Sequence, residues 1–211
     1  MDRIYHSLTT KYPELASVVP DIEIAEAMLV ATYRQGGMLL LCGNGGSAAD
    51  CEHIVGELMK GFMSKRRLSK EIVEKFRRQY PGEADAWVDD LQGALPAISL
   101  ASHTALTTAI ANDVAAESVF AQQVYGYGKP GDALIGISTS GNSVSVVRAI
   151  QVARVLGMRT IGLTGVNGGR MKELCDVTIR VPWHSTPDVQ ERHLPIYHAL
   201  CMLLEKEFFP S

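Results

Sequence analysis

Short apolar runs bounded by glycines alternate along the chain with segments whose apolar residues recur at helical spacing. Residues 17–35 show the helical period, with Ile22, Ile24, Ala25, Met28 and Leu29 as an inward stripe, and Gly36-Gly37 ends it. Residues 38–42, Met-Leu-Leu-Leu-Cys, then read as a strand buried on both faces. A glycine turn follows and opens into a helix whose first turn lies at about Ser47. The alternation continues: residues 95–100 are strand-like, 118–127 helical, 132–137 a buried strand, 144–156 a helix, 159–163 a strand, 171–174 a short helix and 177–181 a fifth strand. The last helix starts near Thr186-Pro187, where proline suits a first helical position, and runs to Phe208. This order predicts an α/β fold, a doubly wound five-stranded parallel sheet with helices on both faces.

Residues 64–90 break the rhythm. Nearly half of them are charged, so the segment is expected to be a helical surface insertion, docked through Ile72, Val73, Phe76 and Trp87. Its Lys65-Arg66-Arg67 cluster offers an alternative use, positive charge for an anionic ligand. A chain of 211 residues is of a size to form one domain, here residues 1–211 including the insertion.

Composition narrows the function more than the fold. Hydrophobic residues make up 46% and charged residues 20%, enough apolar side chain for a sizeable core. Twenty basic against twenty-three acidic residues give a net charge of −3, which leaves no general electrostatic footprint for nucleic acid or an anionic membrane. No run approaches the roughly 18 apolar residues that span a bilayer, and the first residues lack a signal-peptide core; the expectation is a soluble, cytoplasmic protein. Cys42, Cys51, Cys175 and Cys201 are too sparse for a disulfide framework and include no C-x-x-C pair, so they read as reduced thiols, mostly buried.

Two loops carry candidate chemistry. Gly43-Asn44-Gly45-Gly46-Ser47 joins a strand to a helix N-terminus, where free N–H groups and the positive end of the helix dipole suit a phosphate or a polar sugar. Its spacing is neither the dinucleotide G-x-G-x-x-G nor a P-loop, and a tight turn alone would also use such glycines. The second loop, residues 138–143, occupies the equivalent place after another strand and offers the hydroxyls of Ser138, Thr139, Ser140 and Ser143. Capping needs one hydroxyl; four suit phosphate oxygens. Both loops sit at the carboxyl ends of parallel strands, where folds of this kind bind ligands.

Two helices add titratable groups. His53 and Glu57 are four residues apart and share a face, which fits a surface pair as well as a metal or proton-transfer site. On the last helix Gln190, His193 and Tyr197 fall on about one face, and His198 stands in an apolar stretch that a satisfied core histidine would also occupy. Glu57 lies about 15 Å along its helix from Ser47 at 1.5 Å per residue, too far for one small sugar to reach the glycine loop as well. A site using both would be completed by a neighbouring subunit.

Taken together, CGNGGSAAD, the His53/Glu57 helix, AIAND at residues 109–113, GISTSGNS, TIGLTG and VQERHLPIYHAL resemble the sugar isomerase (SIS) fold, and within it the phosphoheptose isomerase family. The resemblance covers nearly the whole chain outside residues 64–90. It implies an aldose–ketose isomerase converting sedoheptulose 7-phosphate to D-glycero-D-manno-heptose 7-phosphate, a homotetramer and active sites shared between subunits. Carried over by motif, Asn44, Gly45, Gly46, Ser47, Asn112, Asp113 and Gln190 would bind the sugar, while Ser138, Thr139, Ser140 and Ser143 hold its phosphate. Glu57 and His198 match the acid/base pair, Glu57 also touching substrate. His53, Glu57, Gln190 and His198 match positions where members can bind zinc. The alternatives within the same fold are an isomerase of another phosphosugar and a non-catalytic sugar-phosphate-binding or interaction protein; SIS proteins that act as interaction scaffolds lack the acid/base residues that this chain has. Where the family commonly carries Gly-Arg-Phe after the glutamate, this chain has Lys60-Gly61-Phe62, which leaves Lys60 or the insertion's basic cluster as the candidate replacement.

Overall fold

A computed structural model describes residues 3–210. Helix α1 (Arg3–Lys11) and a 3₁₀ turn (Pro13–Val18) lead into α2 (Val19–Arg34), then strand β1 (Leu39–Gly43) and helix α3 (Gly46–Met59). The insertion forms α4 (Lys70–Gln79) and α5 (Ala84–Asp90). Then come β2 (Ala97–Ser99), α6 (Thr104–Ile110), a π-helical turn (Ala111–Ala115), α7 (Val119–Tyr127), β3 (Ala133–Ile137), α8 (Val144–Val155), β4 (Arg159–Gly165), α9 (Met171–Leu174), β5 (Val177–Val181) and α10 (Thr186–Phe208).

The five strands are parallel in the order β2-β1-β3-β4-β5, as the alternation predicts. Every residue of β1 and β3 is buried because both strands are interior and covered on two faces. Side chains alternate between two cores. Leu39, Leu41, Ile135, Ile137, Ile161 and Leu163 pack beneath α2, α3 and α10, whereas Leu40, Cys42 and Leu134 face α7 and α8. The β2 strand is shorter than the 95–100 run suggests. It is an edge strand, and Pro96 has no N–H to extend the ladder, contributing only its carbonyl to Leu39 N–H (2.9 Å).

Two expectations about buried faces fail. Ile24 points outward, 49% exposed, so the α2 stripe consists of Ile22, Ala25 and Leu29 with Met28 at its edge. The insertion is helical as expected, yet α4 buries no residue and both Ile72 and Trp87 are exposed; its apolar positions do not dock it on the rest of the chain.

Chain reversal places the site. After β1 the chain moves outward to β2 and then crosses back to β3 on the other side of β1, so the loops following β1 and β3 diverge and leave a crevice at the carboxyl edge of the sheet.

Candidate active site

The two loops predicted to bind phosphate meet in that crevice. Asn44 Nδ2, just beyond β1, donates to Ser143 Oγ at 2.8 Å and to Ser145 Oγ at 3.0 Å. Ser143 is the N-cap residue of α8, but its hydroxyl makes no capping bond, so the first N–H groups of this 12-residue helix face the crevice without an internal acceptor. Gly141 shapes the second loop. Its φ is +67°, and a Cβ there would come within 2.1 Å of Gly168 O, so only glycine lets the two backbones pass. The loop is then pinned from β4 and α9: Gly165 N–H donates to Thr139 O (2.9 Å), Met171 N–H to Gly141 O (3.1 Å) and Arg170 N–H to Asn142 Oδ1 (3.0 Å). Ser138 is buried at the root of the loop and Ser140 is exposed at its tip. On the first loop Gly45 has φ +58°, and Ser47 is buried in the first turn of α3.

The second cluster lies farther along α3, where α10 runs beside it. Gln190 lies over Gly46, so close that a Cβ on Gly46 would sit 1.7 Å from its Nε2. Two turns on, His53 Nε2 is 3.2 Å from Glu57 Oε1 and 3.5 Å from His198 Nε2. The ring of Phe62 packs on His198 with 5.3 Å between centroids, and Lys60 Nζ is 3.4 Å from Glu57 Oε2. Glu57 is shielded, its side chain 13% exposed. Partial burial and the neighbouring His53 hold His198 below the ordinary imidazole range, with Glu57 opposing them, so the ring is neutral at pH 7 and can both give and take a proton.

Behind these groups stands a hydrogen-bonded chain that the sequence did not disclose. Tyr197 OH donates to Asp50 Oδ1 at 3.2 Å and lies 3.0 Å from His53 Nδ1. Burial raises the Asp50 carboxyl, although Tyr197 and His53 oppose the shift. Asp50 and His53 are three residues apart on α3, the spacing at which helical side chains meet, and this was the available signal.

The fold closes over the whole pattern. A protein-family model described as the SIS domain matches residues 11–84 and 92–165. The phosphoheptose isomerase of Roseiflexus sp. (strain RS-1) is 41% identical over 209 residues, covering 99% of this chain and 93% of the relative. This chain belongs to the phosphoheptose isomerase family. A second phosphoheptose isomerase, from Trichlorobacter lovleyi, is 43% identical over 93% of this chain and 86% of its own length. Among solved structures, the phosphoheptose isomerase from Neisseria gonorrhoeae superposes with a TM-score of 0.75 at 31% identity, over 95% of this chain and 94% of that one. The Francisella tularensis phosphoheptose isomerase gives 0.76 at 29% identity, over 95% and 93%.

Three of the residues that the phosphoheptose isomerase motifs single out for metal, His53, Glu57 and His198, adjoin one another. The fourth does not: Gln190 is held at Gly46, about 12 Å along the helix axis from His198. Among the described residues no group of three or more His, Cys, Asp or Glu side chains is arranged to hold a metal ion. Asn112 and Asp113 are exposed on the π-helical turn and bond to each other at 2.8 Å; no hydrogen bond among the described residues joins them to either cluster. Arg66 is not the free cation its charged neighbours suggest. It is buried, paired with Glu205, and leaves Lys60 as the cation beside Glu57.

Proposed function

We propose that this chain is a phosphosugar aldose–ketose isomerase that interconverts sedoheptulose 7-phosphate and D-glycero-D-manno-heptose 7-phosphate. The observation that carries the reading is the pairing of a shielded carboxylate, Glu57, with a neutral imidazole, His198, in a fold whose other loops present hydroxyls and a free helix N-terminus. Moving a carbonyl between adjacent carbons requires one proton to leave one carbon and return to the next, through an enediol, while the two oxygens exchange a proton. Glu57 takes and returns the carbon proton; His198 serves the oxygens. Ser138, Thr139, Ser140, Ser143 and the amino end of α8 take the phosphate, and Asn44, Gly45, Gly46, Ser47, Asn112, Asp113 and Gln190 line the sugar.

The donors near Glu57 are of a kind that zinc takes, two imidazoles and a carboxylate, but they are not arranged around one ion. Were zinc to bind, His53, Glu57 and His198 would have to converge on it, with Gln190 joining only by leaving Gly46. When bound, it would polarise the substrate carbonyl as a Lewis acid.

Separation of the two clusters supports an assembly with shared sites. The phosphate loops lie at the amino end of α3 and Glu57 about 16 Å along it, farther than an extended seven-carbon sugar phosphate reaches. We assign the assembly as a homotetramer in which the acid/base pair of one subunit faces the phosphate loops of another, and its place as the cytoplasm; no described helix is long and apolar enough to cross a membrane. Conversion of sedoheptulose 7-phosphate by the purified protein, with and without zinc, tests the reading, with Glu57→Gln as the blank. Turnover lost in the blank supports it. Sugar-phosphate binding without turnover refutes the isomerase assignment.

A further inference from the structure

We infer that the buried Arg66–Glu205 pair is a positioning pair for the acid/base residues: it fixes the end of α3 that carries Glu57 and sets Phe62 against His198. The inference rests on the isomerase reading for its kinetic consequence but not for its geometry.

The pair joins the root of the insertion to α10. Arg66 Nε donates to Glu205 Oε1 at 2.8 Å, with side chains only 0% and 5% exposed. The other guanidinium nitrogens donate to the carbonyls of Leu58 (2.6 Å) and Glu57 (2.8 Å), two of the four acceptors that the last turn of α3 leaves without helical partners. Glu205 in turn accepts the N–H groups of Phe62 and Met63, both at 2.8 Å. Burial alone would push this carboxyl up, but those two N–H groups and Arg66 outweigh it and hold it below its ordinary range. The same guanidinium stacks on the Phe209 ring at 4.9 Å. Five hydrogen bonds therefore tie together the carboxyl end of α3, the turn after it and the last helix.

Both catalytic groups lie next to that knot. Glu57 is the residue whose carbonyl Arg66 holds. His198 precedes Glu205 by seven residues, two turns, which puts the imidazole and the carboxylate on one stripe of α10. Phe62 is the link, because its N–H is fixed by Glu205 and its ring lies on His198. A second staple closes the insertion's far root: Gly61 N–H donates to Gln92 Oε1 (2.8 Å) and Gly93 N–H to Arg66 O (2.9 Å). The insertion, which buries little of itself, is thus attached where it can hold the site. Cohesion alone does not require ions here, since burying two charges has a large desolvation cost and apolar pairs of similar volume serve stability as well or better.

The test is the double variant Arg66→Met/Glu205→Leu, alongside Phe62→Leu. Histidine ring resonances, assigned through His198→Gln, report the Phe62 ring on His198 by its ring-current shift, whether or not the protein turns over. Both variants are expected to fold, to lose that shift, and to lower kcat by about 10- to 100-fold, with KM for the sugar phosphate changed by less than about threefold because the phosphate loops are untouched. A folded double variant that keeps the His198 shift or the wild-type kcat overturns the inference. Should the double variant not fold, Phe62→Leu decides: an unchanged His198 shift or unchanged kcat overturns it. A wild-type protein without turnover refutes the isomerase reading, and the resonance comparison still decides the positioning.

Discussion

His193 makes the stability of the chain depend on acid in a way that can be isolated. The ring is fully buried, neither nitrogen makes a well-formed hydrogen bond among the described residues, and burial pushes it down to about 4, with a weak contact to the Thr164 backbone opposing only in part. The unfolded chain therefore binds a proton near the ordinary histidine value, about 6.5, while the folded chain refuses it until about pH 4. For a histidine lowered in this way, folding is unopposed above pH 6.5, and stability falls as pH drops from 6.5 towards 4. Linkage gives a loss of about 2 kcal/mol between pH 7 and pH 5, levelling near 3 kcal/mol below pH 4. His193→Leu removes the titrating group and its poorly satisfied ring nitrogens, and leaving such a group buried without a partner costs on the order of 1–3 kcal/mol. The variant is expected to be at least as stable at pH 7 and to gain a further 2 kcal/mol or so over the wild type by pH 5. Urea unfolding followed by circular dichroism at pH 7, 6 and 5, at one protein concentration, measures the difference. A stability gap that stays constant across that range refutes the reasoning.

Other substitutions probe the site itself. Glu57→Gln and His198→Ala should each lower kcat by roughly 10²- to 10⁴-fold while thermal stabilisation by the sugar phosphate persists, and a shift measurement with wild-type turnover would remove that residue from proton transfer. Gly141→Ala should abolish phosphate binding and destabilise the fold by about 1–3 kcal/mol, since its φ is left-handed and the added carbon meets Gly168; calorimetry with the sugar phosphate checks both. Tyr197→Phe cuts the link between Asp50 and His53 with little change of shape, and is expected to reduce kcat about tenfold and to lower stability by about 1 kcal/mol, because the Asp50 carboxylate loses its donor. Equal turnover in the variant would mean that His53 needs no support.

The parts of this molecule that could be read from sequence are those governed by local pattern. The runs of β1 and β3 are continuous because the strands are covered on both faces, and the glycine and serine loops announce themselves by placement between strand and helix. Helix α1 offers too little pattern, since only Tyr5 and Leu8 of its nine residues are buried. The helix α6 and the π-helical turn carrying Asn112 and Asp113 bury little beyond Ile110, so no stripe marks them. Arg66 could not have been found by charge: flanked by exposed Lys65 and Arg67, it is turned inward by a glutamate 139 positions away. Tyr197 was visible as a face-sharing residue, but its link to Asp50 depends on α3 and α10 lying side by side, which is a tertiary fact.

The order of strands also governs how the chain is made. β1 is made before the other four described strands, yet it lies between β2 and β3, and neither neighbour is joined to it by a hairpin. Its leucines remain without their second partner until β3 has emerged, roughly 5–20 s later at about 5–20 residues per second. The β1–β3 pairing closes a long loop that contains α3 to α7 and β2, so β1 carries an unpaired apolar edge until β3 is made. Faster translation or lower temperature should therefore shift the balance between soluble and aggregated product more than any change to the mature site.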